Sequence, residues 1–139
     1  MTKKELEEVF DLPKEIEQLE ERITRIRKQS EMVSDIVQNG YKRHAVIYGV
    51  DIMRKYKIEK NENKLREFKK KLEQKKQEIE DYIETIPFSE LRQIFRYRYL
   101  DGMNWIQVAH AMNEKYKNNN RIYTQDSVRC KHDRFLEKY

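Results

Sequence analysis

Few side chains in this 139-residue sequence are of the types that do covalent or metal chemistry. There is one cysteine, Cys130, and there are three histidines. Cys130 and His132 are two residues apart, a spacing that sends them to different sides of a helix. With no further cysteine, no zinc site is expected. The sequence has no glycine-rich phosphate loop, no H-E-x-x-H motif and no nucleophile elbow. Its carboxylates lie in charge-alternating stretches, where solvated pairing accounts for them. The expectation is a protein that is not an enzyme and needs no cofactor or metal. What remains is recognition through charge. Net charge is +5. Residues 1–39 carry 7 basic and 10 acidic groups, residues 40–60 carry 6 and 2, residues 61–86 carry 7 and 7, and residues 87–139 carry 10 and 6. Positive charge therefore gathers in the middle and at the C-terminal end, which suits an anionic partner such as nucleic acid.

Elements that could position such charges are legible in "YRYLDGMNWIQVAHAM", residues 97–112. A helical stripe through Leu91, Ile94, Phe95, Tyr99 and Leu100 runs into Gly102, and glycine just past a helix end is the usual left-handed stop. Asn104 is a good N-cap. Trp105, Val108, Ala109 and Met112 then recur at i, i+3, i+4, i+7, with small Ala109 permitting close approach. Thr124 offers another N-cap, followed by Val128, His132, Phe135 and Tyr139 on one face. The pattern predicts three helices around a small aromatic core, the last two forming a helix-turn-helix pair. Trp105 is expected in that core. His132, on the apolar face, is expected as a packed neutral histidine. Arg92, Arg96 and Arg98 suit a DNA face and a solvated face equally. The stretch 113–123 either extends the preceding helix and then loops or forms a wing.

The first half reads differently. Ile16, Leu19, Ile23, Ile26, Ser30, Val33 and Val37 step by three and four, a heptad seam. Pro13 suits the first turn of that helix, and Asn39-Gly40 ends it. A second seam runs through Leu65, Phe68, Leu72, Lys75, Ile79, Tyr82 and Ile86, and Pro87 stops it. Lys75 either snorkels to solvent or sets register and partner number. The connector at 39–60 carries Lys42, Arg43, Arg54, Lys55 and Lys57. Its β-branched and aromatic run at 45–50 suits a short strand or hairpin, with Asp51 capping the second helix. The fold class expected is all-α: an antiparallel helical hairpin or coiled coil over residues 1–86, then a helix-turn-helix domain over 87–139. The 40% charged content suits long, solvent-washed helices. The two seams predict a homo-oligomer, a dimer first. No stretch has the apolar core of a signal peptide or a membrane span, and a lone cysteine suits a reducing cytoplasm.

The stretch "IFRYRYLDGMNWIQVAHAM…TQDSVRCKHDRFLEK" resembles region 4 of bacterial sigma factors. The order of a coiled-coil half and "IPFSELRQIFRYRYLDGMNW" is similar to small phage and prophage proteins of low-GC Gram-positive bacteria. The resemblance covers the whole chain loosely and residues 86–112 closely. It implies transcriptional regulation in the cytoplasm of a bacterial host, with double-stranded DNA and RNA polymerase as the partners. Carried onto this sequence, it makes Gln125, Asp126 and Arg129 candidates for base edges, and Asn104, Gln107, Arg121, Lys131 and Arg134 candidates for phosphates. The eleven residues between Met112 and Thr124 depart from the short turn of a DNA-reading pair. Competing readings are a phage DNA-packaging or assembly protein and a protein-binding adaptor that has lost its DNA face.

Overall fold

The structure, a computed structural model, describes the backbone of residues 1–38 and 44–139 and the side chains of residues 1–29 and 52–139. It is all-helical among the described residues: α1 (Lys3–Gln38), α2 (His44–Thr85), α3 (Ser89–Phe95), α4 (Trp105–Tyr116) and α5 (Gln125–Lys138). A π-helical turn at Arg96–Leu100 follows α3, and a 3₁₀ turn at Lys117–Asn119 follows α4. The side chains of the seam positions Ser30, Val33 and Val37 fall outside what is described, as do Asn39, Gly40, Lys42 and Arg43 altogether.

Two expectations for the first half are corrected. Helix α1 begins at Lys3, and Pro13 lies inside it. The start is fixed by a reciprocal cap, since the Glu5 amide donates to Thr2 Oγ1 at 3.2 Å and the Thr2 amide to Glu5 Oε2 at 2.8 Å. A cap that joins these orphan amides starts the helix ten residues before the proline, whose missing N–H is tolerated within so long an element. The second correction concerns 45–50, which is helical, with Asp51 inside α2 rather than capping it. Strand propensity is a weak preference that long helical context overrides.

The chain divides into two compact units, Leu12–Leu72 and the pair Met1–Asp11 with Glu73–Tyr139. These units do not follow the boundary at residue 86. In the first, Ile16, Leu19 and Ile23 are buried, whereas Ile26, Leu65, Phe68 and Leu72 are half-buried. Arg27 pairs with Glu62, Lys69 with Glu20 at 3.5 Å, and Arg54 Nη1 donates to the Gln29 carbonyl at 2.7 Å.

The second unit holds the C-terminal helices together with the first turns of α1 and the end of α2. Its boundary differs from the sequence expectation because Leu6 and Val9 are buried, and so are Ile79, Ile83 and Ile86. Burying each such side chain contributes roughly 1.5–3 kcal/mol. Phe10 stacks on Tyr99 with ring centroids 5.5 Å apart, and Tyr82 meets Phe95 at 6.3 Å. Lys75 snorkels: its side chain is only 16% exposed, yet Nζ lies 3.1 Å from Glu8. The Pro87 corner is held by Arg92, whose Nη1 donates to the Ile86 carbonyl at 2.7 Å.

Candidate nucleic-acid interface

The two helices expected to form a reading pair are both capped by their sequence. Asn104 Oδ1 accepts from the Gln107 amide at 2.9 Å, and Gln107 Oε1 accepts from the Asn104 amide at 3.0 Å. Thr124 and Ser127 repeat the arrangement at the start of α5, at 3.1 and 2.9 Å. Each such cap contributes about 1 kcal/mol. Gly102 takes φ +68°, the left-handed stop that its type anticipates. The wider π-helical turn before it, closed by the Asp101 amide on the Arg96 carbonyl at 3.0 Å, carries Tyr99 into the core.

Helix α4 packs on α5, and α3 packs on α5. Their shared core contains Ile94, Val108, Ala109, Met112, Tyr123 and Val128. The stretch 113–123 extends α4 by one turn, makes the 3₁₀ turn, and reverses at Asn120 in the left-handed region. It forms no wing. The return is clamped by a residue the sequence reading missed: Asn113 Nδ2 donates to the Tyr123 carbonyl at 2.9 Å, and the Tyr123 amide donates to Asn113 Oδ1 at 2.7 Å.

Trp105 corrects an expectation. It is half-buried and packs against the core from its edge, at the first residue of α4. Its ring lies edge-on to His132 at 4.8 Å and under the Arg98 guanidinium at 4.7 Å. Arg98 also stacks over Phe10 at 4.7 Å and donates to the Met103 carbonyl at 3.1 Å. Arg92 and Arg98 are therefore structural, and only Arg96 of the three arginines is exposed.

His132 is fully buried, as expected of a packed neutral histidine. Its Nδ1 lies 2.9 Å from Asp133 Oδ1 and its Nε2 lies 2.6 Å from Tyr99 Oη. A carboxylate only accepts, so Nδ1 carries the proton and Tyr99 donates to Nε2. Burial holds the imidazole below its usual value against the opposing pull of Asp133. Burial also pushes the Tyr99 phenol up. Asp133 is raised by burial, but His132 and Lys3, 3.3 Å away, outweigh that and leave it low.

The base-edge candidates Gln125, Asp126 and Arg129 are all exposed on the first turns of α5. Arg129 Nη2 is 3.4 Å from Asp126 Oδ1. The phosphate candidates divide. Asn104 and Gln107 use their side chains in the cap. Arg121 and Lys131 both reach Glu90, Arg121 at 3.3 Å, and Tyr123 Oη donates to the same carboxylate at 3.0 Å. Burial raises Glu90, but its bonds to Lys131 and Tyr123 and the charges of Lys131 and Arg121 leave it low. Arg134 is exposed. Lys131 is two residues from Arg129 and so points to the opposite side of α5. The signal for Glu90 lay in its place, a first-turn carboxylate three residues past Pro87. Cys130 is exposed, and no group of histidine, cysteine and carboxylate side chains among the described residues is arranged to hold a metal. No family model, curated protein or solved structure matches this chain. Among the described residues, no helix is long and apolar enough to cross a membrane.

Proposed function

We propose that this chain is a sequence-specific double-stranded DNA-binding regulator of transcription in a bacterial host, of the phage kind its sequence resembles. In this reading α4 and α5 are the helix-turn-helix pair and α3 is its third helix. The observation that carries it is the doubly capped α4–α5 pair, which packs through Ala109 and Val128 while leaving Gln125, Asp126 and Arg129 in solvent. The N-terminal turns of a recognition helix enter the major groove first. Arg129 is the residue we assign to a base edge, and Arg134 the residue we assign to a phosphate. The first half is an antiparallel hairpin in this reading, supported by partner numbers that fall from 69 to 62 to 54 as their α1 counterparts rise from 20 to 27 to 29. Ile16, Leu19 and Ile23 are already buried within one chain, so a dimer through this seam and contact with RNA polymerase are further proposals that sedimentation and pull-down decide.

The test is selection of bound sequences from random DNA, followed by binding of Arg129→Ala to the selected site and to scrambled DNA. The expected result is a loss of about 1–3 kcal/mol on the selected site with relaxed preference at one base position. An unchanged ratio of specific to scrambled affinity refutes the assignment. A second reading, a protein-binding adaptor that has lost its DNA face, is favoured by one observation: four of the five phosphate candidates already have partners within the protein. Failure to enrich any DNA sequence selects it.

A further inference from the structure

Between α3 and the last turns of α5 runs a cleft of about 420 Å³. Its apolar lining comes from Phe88, Leu91, Phe135 and Tyr139. Phe88 is 52% exposed and Tyr139 69% exposed, which is unusual for two large aromatics side by side on so polar a chain. Lys131, Arg134 and Lys138 line the same cleft. They stand at i, i+3 and i+7, so they form a single row of cations along α5. The one carboxylate in the lining, Glu90, is taken by Lys131, Arg121 and Tyr123. Arg134 and Lys138 have no carboxylate within 4.0 Å among the described residues. The result is an apolar trough with a positive edge whose own acid is already neutralised.

We infer that this trough is a docking site for an acidic peptide segment of a partner protein, one that carries aromatic or aliphatic anchors between its carboxylates. The anchors displace water from Phe88 and Tyr139, and the carboxylates meet Arg134 and Lys138. An uncharged hydrophobic segment gains nothing from the cation row, and duplex DNA, whose bases are already stacked on one another, gains little from an apolar lining, so both halves of the site point to one occupant. Charge complementarity of this sort sets specificity and association rate, and buried aromatic anchors supply most of the affinity. The trough shares Arg134 with the DNA reading, so peptide and phosphate compete for that one side chain, but Phe88, Tyr139 and Lys138 belong to the trough alone and Arg129 points to the other side of α5.

The experiment is selection from a displayed random dodecapeptide library on the full-length protein. Enriched peptides are then measured by fluorescence anisotropy against wild type, Lys138→Glu, Phe88→Ser and Arg129→Ala. Both trough variants alter exposed positions, and circular dichroism checks that they fold. The expected result is enrichment of peptides combining acidic with aromatic or aliphatic residues. Affinity should fall by about tenfold in Lys138→Glu and in Phe88→Ser, and should be unchanged in Arg129→Ala. No enrichment, enrichment of basic peptides, or equal binding by the folded trough variants overturns the inference. Loss of DNA binding by Arg129→Ala with peptide binding intact bears on the DNA reading alone.

Discussion

Removing one hydroxyl tests the buried polar centre of the C-terminal unit. Tyr99→Phe keeps the ring, its stacking on Phe10 at 5.5 Å and its contact with Phe95 at 5.8 Å. It deletes only the donor that lies 2.6 Å from His132 Nε2. Tyr99 is 2% exposed and His132 fully buried, so water cannot reach the abandoned nitrogen without rearrangement. A buried acceptor left without a donor costs about 1–3 kcal/mol. For a chain of this size that lowers the melting temperature by roughly 4 °C per kcal/mol. The assay is urea unfolding at pH 7 followed by Trp105 fluorescence. Trp105 is the single tryptophan, and its ring lies 4.8 Å from that of His132, so the signal reports this unit. A variant within about 0.5 kcal/mol of wild type, well below the penalty expected for an orphaned acceptor, would refute the claim that Nε2 depends on Tyr99.

The same centre makes stability depend on pH. Because burial holds His132 below its ordinary value of 6.5, the unfolded chain takes up this proton before the folded one. Stability should be level above about pH 6.5 and fall as pH drops below it. Lys3 and the Arg98 guanidinium, both near the ring, oppose its charging. Further loss should follow in stronger acid, where the lowered Asp133 and Glu90 protonate. A urea midpoint that stays level from pH 8 to pH 5 would count against this. Trp105→Ala should cost about 2–3 kcal/mol, under the 3–5 kcal/mol typical of a fully buried aromatic, because the residue is only half-buried. A calorimetric loss above that range would place the ring in the core after all.

What the sequence made legible was local. Gly102, Asn104 and Thr124 announce their conformations through their own type, and the i, i+3, i+4, i+7 spacing of Trp105, Val108, Ala109 and Met112 announces a face. The start of α1 was equally legible, since Thr2 and Glu5 have the spacing of a reciprocal cap and Leu6, Val9 and Phe10 follow on one side. Pro13 points the other way, since inside a helix it removes a donor and its ring crowds the carbonyl four residues back, which makes a first turn its ordinary place. The partners of Arg98, Asn113 and Glu90 were not legible. Arg98 meets Phe10 across eighty-eight positions of sequence, and Glu90 meets Lys131 across forty-one. No spacing rule reaches that far, because such contacts follow from how helices pack rather than from their periodicity. The strand expected at 45–50 failed for a related reason, since a short β-branched run has no partner to pair with inside a chain of long helices.

Net charge also overstates what this unit can offer a nucleic acid, and that gives a last expectation. Of the ten basic residues in 87–139, Arg92 and Arg98 hold backbone carbonyls. Arg121 and Lys131 are held by Glu90, Arg129 by Asp126 and Lys117 by Glu114. Arg96, Lys115, Arg134 and Lys138 are left without a carboxylate partner within 4.0 Å among the described residues. Each phosphate contact contributes about −0.9 to the slope of log affinity against log salt. If every internal pair survives binding, the slope can be no steeper than roughly −4, and shallower still if the four cations do not share one face. Glu90→Gln releases Arg121 and Lys131 from their carboxylate while retaining an acceptor for Tyr123, so it should steepen the slope by up to about 2 and tighten binding at low salt. Anisotropy on a DNA duplex from 50 to 300 mM salt, a range over which phosphate contacts are screened strongly, reads both numbers. A wild-type slope well beyond −4 would show that cations other than these four reach phosphate, whether from the Glu90 cluster, from outside residues 87–139 or from a second copy of the chain. An unchanged slope in a folded Glu90→Gln would show that Arg121 and Lys131 do not face phosphate, and would remove them from the interface.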